Sequence, residues 1–438
     1  MESAEPMTPY SQLIEKNNDI LVISFSHMGV PAGSFAHPNA LKTFPYSLLQ
    51  LNCPNNSFYL SPIPGIGDDV EAIAAHVRTF IAALGPRKVV CYGASMGAFG
   101  AVLYGYLLEA DLILALGPEI SLGLKGAPAR GVVKDPSIFA HPWAANLLNV
   151  VKTGKTRLVA LFGEKAIADV FGALDLNERL AESCYSLKNA YHSVASFIEG
   201  VYGLNEFLLH IVEGGDPAAL VADHRGDLIA HRRLVERLYA LAYDDKHDGS
   251  YIEVLETLPP GASPETQSYA YFAAARHFLN GRDPREGRYA LRKAFSLNPN
   301  DLDLATFYFG FDRDEFMSLD PGEEYLLRLL KTHRLNKSAT YYRLAALMLR
   351  HRWPFAGRTE ERLAPFLAHD RHWAEVAFQL AQVLEAEGAL QAADDQVQRA
   401  LDFNPHNPAY SRLRSAIRAR QRQDAGAGQS ASVAHKAA

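Results

Sequence analysis

Residues 88–100 read KVVCYGASMGAFG. The segment VVCYG is a short apolar strand that runs directly into Gly93-Ala94-Ser95-Met96-Gly97, a stretch of the form G-x-S-x-G. The residues that follow, MGAFGAVLYGYLLEA, have the composition of a helix whose first turn is small. Strand, tight turn and helix in that order place a serine at the tip, with its hydroxyl exposed above the carboxyl ends of a sheet. Gly93 and Gly97 keep the turn clear of side chains, and Ala98, Gly100 and Ala101 keep the helix slim where it crosses the sheet. Taken bare, G-x-S-x-G is short enough to occur by chance; the strand before it and the helix after it give it meaning.

Reading outward, ILVISF (20–25) is an apolar run bounded by Asp19 and SHMG, and SFYLS (57–61) is a second candidate strand, ended by P-I-P-G. Between the latter and the serine turn, Val70, Ile73, Ala74, Val77, Phe80, Ile81 and Leu84 fall on one helical stripe, which Gly85-Pro86 stops. After the turn, DLILALG (111–117), TRLVALFG (156–163) and ESCYSLKN (182–189) are further strands. Apolar runs separated by helices predict an α/β fold, a mostly parallel sheet covered on both faces.

A serine nucleophile needs a base, and the base needs an orienting group. His141 lies in IFAHPWAA with no strand before it, whereas His192 lies in KNAYHSVASFIEG, directly after the last strand. A loop there opens on the same sheet edge as Ser95, which makes His192 the candidate base. Asp169, beyond Gly163 and just before a helix, is the first candidate for the acid. Glu164 lies closer to the strand end, Asp175 lies too far into the helix, and a plain helix cap is another use for Asp169. An oxyanion needs backbone donors. The N–H of Met96 is one, and His27 or Met28, in the loop Ser26-His27-Met28-Gly29, supplies the other. The side chain of His27 could instead meet substrate or fill the mouth. Glycines 93, 97 and 100 could also cradle a phosphate at a helix start, but the lysine of a P-loop is missing and the offsets differ from G-x-G-x-x-G.

With the elbow at 93–97, the strand-end loop at 26–29 and the late His192, residues 19–215 resemble the α/β-hydrolase superfamily. The resemblance implies a Ser–His–acid hydrolase acting on an ester, thioester or amide, without cofactor or metal, and a small-molecule or glycan-linked acyl substrate. Esterase and acyltransferase would use the same residues and differ in the acceptor. The family often places its acid about three residues past the glycine of the penultimate strand, where this chain has Ala166 and offers Asp169 instead. A catalytically inactive platform for a partner domain is the alternative that this displacement leaves open. The chain begins at what resembles the family's third strand, giving a short sheet of about six strands. Residues 118–155 lie where such proteins carry a lid and are too few for a large one.

From about residue 216 the period changes to helical throughout. Two pairs resemble tetratricopeptide repeats: Tyr271, Ala274, Phe278, Leu291, Ala294 and Pro299 in one, and Leu380, Ala381, Leu384, Gly388, Ala393, Ala400 and Pro405 in the other, with degenerate pairs between them. The expected division is a hydrolase-like domain over 1–215, a repeat-like domain over 216–420 that could bind a protein partner, and a disordered tail over 421–438, QRQDAGAGQSASVAHKAA. A net charge of −6 argues against a nucleic-acid partner. Cys53, Cys91 and Cys184 match no zinc spacing and no disulfide framework. The opening MESAEPMTPY has neither the basic nor the apolar region of a signal peptide, and no apolar stretch is long enough to span a membrane, so a reducing, cytoplasmic location is expected.

Overall fold

The apolar runs pair as a single sheet. ILVISF lies within β2 (Asn17–Phe25), which pairs in parallel with β4 (Lys88–Ala94), Ile20 opposite Lys88 and Phe25 opposite Gly93. Seven strands follow the order β1-β3-β2-β4-β5-β6-β7, where β1 is Ser11–Ile14, β3 Tyr46–Leu51, β5 Leu112–Leu116, β6 Arg157–Gly163 and β7 Cys184–Leu187. The edge strand β1 is antiparallel to β3, and every other pair is parallel. The computed structural model describes residues 8–37, 41–152, 154–243, 254–280, 284–311, 373–386, 388–403 and 407–436, with Leu329 and Pro405.

The sheet has one strand more than expected, and one expected strand is something else. SFYLS is not a strand: Asn55, Asn56, Phe58 and Tyr59 all have positive φ, between 52° and 60°. Left-handed residues cannot hold a ladder. Phe58 and Tyr59 are buried through side-chain contacts instead, Phe58 edge-on to Phe99, and the Tyr59 hydroxyl donating to the carbonyls of Ser26 and Leu51. The neighbouring strand role belongs to YSLLQL, and short, polar SQLI adds the edge.

Helices cover both faces. In α1 (Val70–Leu84), Val70, Ile73, Ala74 and Val77 face the core, Asp69 caps the start by accepting from Ala72 N at 2.7 Å, and Gly85 ends it with φ 57°. α2 (Met96–Leu107) is buried from Met96 through Tyr106, as a helix crossing the middle of the sheet must be. The 118–155 segment carries only short helical pieces, among them α3 (Ala129–Val132), with Leu122, Ala129, Leu147 and Leu148 in the core. α4 (Ile167–Gly172) follows β6, and α5 (Val194–Tyr202) and α6 (Leu204–Val212) follow β7, packing on the opposite face with Phe197, Ile198, Phe207 and Ile211 buried.

The polypeptide divides into two compact units, Met1–Asn298 and Pro299–Ala438. The division lies beyond the residue 215 at which the period changes. The physical reason is burial: Leu228, Ile229 and, on α7 (Arg232–Tyr243), Leu234, Val235 and Leu238 belong to the same core cluster as β2 and α2. The ring of Tyr239 stacks on Phe171 of α4 at 4.0 Å between centroids. Glu164 fastens this extension to the sheet, its Oε1 accepting from Ser186 Oγ and Leu228 N, both at 2.8 Å. The antiparallel pair α8 (Pro264–Asn280) and α9 (Pro284–Leu297) completes the first unit, with Ala274, Phe278, Leu291 and Ala294 buried.

In the second unit the described helices are α10 (Leu302–Phe311), α11 (Trp373–Ala386), α12 (Leu390–Phe403) and α13 (Pro408–Lys436). α11 and α12 pack together as a hairpin, with Leu380, Ala381, Ala393 and Ala400 buried. The degenerate middle pairs lie outside the described residues apart from α10 and Leu329. α13 runs through most of the stretch whose composition suggests a disordered tail; the alanines there continue a helix begun in SRLRSAIRAR. Among the described residues no helix is long and apolar enough to cross a membrane.

Candidate active site

The turn between β4 and α2 forces Ser95 into φ 53°, ψ −121°, a conformation that costs a non-glycine residue about 1–3 kcal/mol. Its neighbours hold it there. The Ser95 N–H donates to Leu116 O of β5 at 2.9 Å, and the Ser95 carbonyl accepts from Ala98 N and Phe99 N. A Cβ on Gly93 would collide with the Gly97 carbonyl, and one on Gly97 with the Phe25 carbonyl. The helix start therefore sits directly on the end of β2, next to the loop that contains His27 and Met28.

The loop after β7 brings His192 to this turn. Its Nε2 lies 2.6 Å from Ser95 Oγ, and its Nδ1 lies 2.6 Å from Asp169 Oδ2. Asp169 accepts, so Nδ1 carries the hydrogen and Nε2 is the acceptor for the serine hydroxyl. The Asp169 side chain is 2% exposed and that of His192 20%, so the acid is shut from water while the imidazole keeps an open edge. Burial by itself pulls the imidazolium down. The Asp169 charge and hydrogen bond, with a contribution from Glu119, outweigh it and hold His192 above the usual histidine value of 6.5.

Ser95 in the β4–α2 turn, His192 in the loop after β7 and Asp169 in the first turn of α4 thus converge at one sheet edge in the arrangement of a catalytic triad. Glu164, the nearer carboxylate, does not approach His192; Leu228 and Ser186 occupy it, and burial pushes it up to about 7. His141 caps a helical turn at Trp143 N and its ring packs on Trp143. The Met96 side chain is buried beside Cys53. Met96 opens α2, whose first N–H groups have no partner within the helix, and His27 and Met28 lie in the loop just after β2. The His27 ring contacts Met28 O through Nδ1 at 2.9 Å and meets His37 edge-on. Glu119 escapes the sequence reading: it is 2% exposed, burial pushes it up to about 7, and its charge helps to raise His192. The signal was its position just past the carboxyl end of the strand DLILALG, masked by the expectation of a lid there.

No protein-family model matches the chain, and a search of curated proteins gave no match. Among solved structures it is similar to a Glycosylation Associate Protein (Gap123) complex from Streptococcus agalactiae, at 14% identity and TM-score 0.33, over 47% of this chain and 45% of that one. It is similar to a proline iminopeptidase-related protein from Thermus thermophilus, at 13% identity and TM-score 0.33, over 48% of this chain and 94% of that one. An α/β-hydrolase enzyme from a sediment metagenome of the Mar Chica lagoon, Morocco, matches at 16% identity and TM-score 0.31, over 46% and 94%. The chain spans under half the length of the Streptococcus chain it matches. The likeness to α/β-hydrolase-like folds is weak and partial.

Proposed function

We propose that this protein is a serine hydrolase that cleaves an ester or thioester through an acyl-enzyme. The observation that carries the reading is the pair of 2.6 Å hydrogen bonds that joins Ser95 to His192 and His192 to Asp169. As Ser95 Oγ attacks the acyl carbon, its proton passes to His192 Nε2. Asp169 holds the imidazole and stabilises the imidazolium. The N–H of Met96 and that of His27 or Met28 are the donors for the oxyanion. When the carbon–oxygen or carbon–sulfur bond breaks, the leaving group takes the proton back from Nε2. Water then releases the acyl group, or an alcohol accepts it; transfer to a small-molecule or glycan hydroxyl uses the same residues. The helical hairpins we read as tetratricopeptide-like units available to a protein partner, on the strength of the small residues Ala377, Ala381, Ala393 and Ala400 buried in them. Three buried, unpaired thiols fit a reducing cytoplasm.

The test is labelling with a fluorophosphonate. The phosphonyl group should be found by peptide mass on Ser95 and be absent from Ser95→Ala, with both proteins folded by circular dichroism. Equal labelling of the alanine variant would remove Ser95 as the nucleophile.

A further inference from the structure

The proposed chemistry uses one buried carboxyl, and a second lies on the same sheet edge without a role in it. β5 ends at Leu116, whose carbonyl accepts the Ser95 N–H at 2.9 Å. Gly117 follows with φ 65°, so close to the His192 loop that a Cβ would lie 2.6 Å from the His192 carbonyl oxygen. Two residues on comes Glu119. Its Oε2 accepts from Ala129 N at 2.9 Å, while its Oε1 is buried and has no hydrogen-bond partner among the described residues. One four-residue stretch therefore touches the serine, touches the histidine loop and carries an acid. The charged groups acting on that acid are His192 and Asp169. Lys125 and Arg130, from the same 118–155 segment, turn instead to the carbonyls of Tyr243 and Gly123. An amide or hydroxyl could accept from Ala129 equally well, and a buried carboxyl oxygen without a donor is destabilising. What a carboxyl adds at this place is charge.

We propose that Glu119 is a positioning residue of the site, a second buried carboxyl that acts on His192 through its charge, alongside Asp169. The role rests on the serine-hydrolase reading. Burial raises this carboxyl to about 7, with the Asp169 charge adding to it and the Ala129 N–H and His192 opposing it. Glu119 thus changes charge in the interval where an imidazole does. Below that interval it is neutral and His192 has the Asp169 charge alone. Above it, its negative charge favours the imidazolium that forms when Ser95 gives up its proton. The groups titrate as a coupled set.

The experiment follows the His192 ring by NMR against pH in the full-length wild type, Glu119→Gln and Asp169→Asn. The wild type should titrate in two steps. Glu119→Gln should reduce them to one and lower the His192 midpoint by about half a unit or more. The acidic limb of ester kcat/KM should move with it. A folded Glu119→Gln with the His192 midpoint unmoved would overturn the proposal. If that variant fails to fold, the wild-type curve decides, and a single step there would overturn it as well. Asp169→Asn separates the two readings, since a His192 midpoint that ignores this substitution is a failure of the triad and not of Glu119.

Discussion

Ser95→Ala is expected to lower ester turnover by on the order of 10⁶-fold with little change in stability, and Asp169→Asn by about 10⁴-fold. The first removes the nucleophile of the proposed mechanism. The second keeps the shape of the side chain but removes the charge that stabilises the imidazolium, and presents His192 with an amide that can stabilise the wrong tautomer. The sign of the pH effect follows from the same contacts. Burial lowers His192, and the Asp169 charge and hydrogen bond are the main forces raising it above 6.5. Wild-type kcat/KM should therefore fall as pH drops through a value above 6.5, because the base is then protonated. In Asp169→Asn the raising forces shrink while burial remains, so the acidic limb moves to lower pH as the rate collapses. Initial rates on aryl esters across the pH range measure both effects.

Gly97→Ala is expected to cost about 3 kcal/mol or more. The added methyl meets the backbone carbonyls of Phe25 and Ser26, which are fixed by the sheet and cannot rotate away as a side chain can. The damage falls on the junction of β2 with the start of α2. It should separate the Met96 donor from the His27–Met28 loop, and activity should fall in whatever fraction stays folded. Gly123→Ala is the control, because a Cβ there meets nothing within 4 Å. Urea unfolding of both variants gives the comparison. A Gly97→Ala midpoint equal to that of Gly123→Ala would mean that the elbow is looser than its contacts indicate.

Local chemistry was the part of this site that could be read from residues alone. Gly93, Ser95 and Gly97 need one another within a single turn, and the strand and helix on either side lie within a few residues. His192 was reachable because loops after parallel strands open on one edge. Asp169 and Glu164 could not be separated in that way. The choice between them is made by Leu228 and Ser186, which claim Glu164, and Leu228 is 64 residues away in the chain. Burial of aromatic residues misled at SFYLS: Phe58 and Tyr59 are as buried as strand residues, but consecutive left-handed residues after Pro54 turn the chain. YSLLQL is the strand instead, all six residues pairing with β2 and Leu48–Leu51 also with β1. A helical period after residue 216 says nothing about which core a helix joins. Leu234, Val235 and Leu238 of α7 join the core of the sheet.

The most direct test of the acyl-enzyme account is rapid-quench mass spectrometry during turnover of short and long aryl esters. The account predicts a burst of released phenol that matches the enzyme in amount, and a protein heavier by one acyl group, located on the peptide carrying Ser95. Turnover by folded protein with no acyl group on Ser95 at any quench time would contradict it.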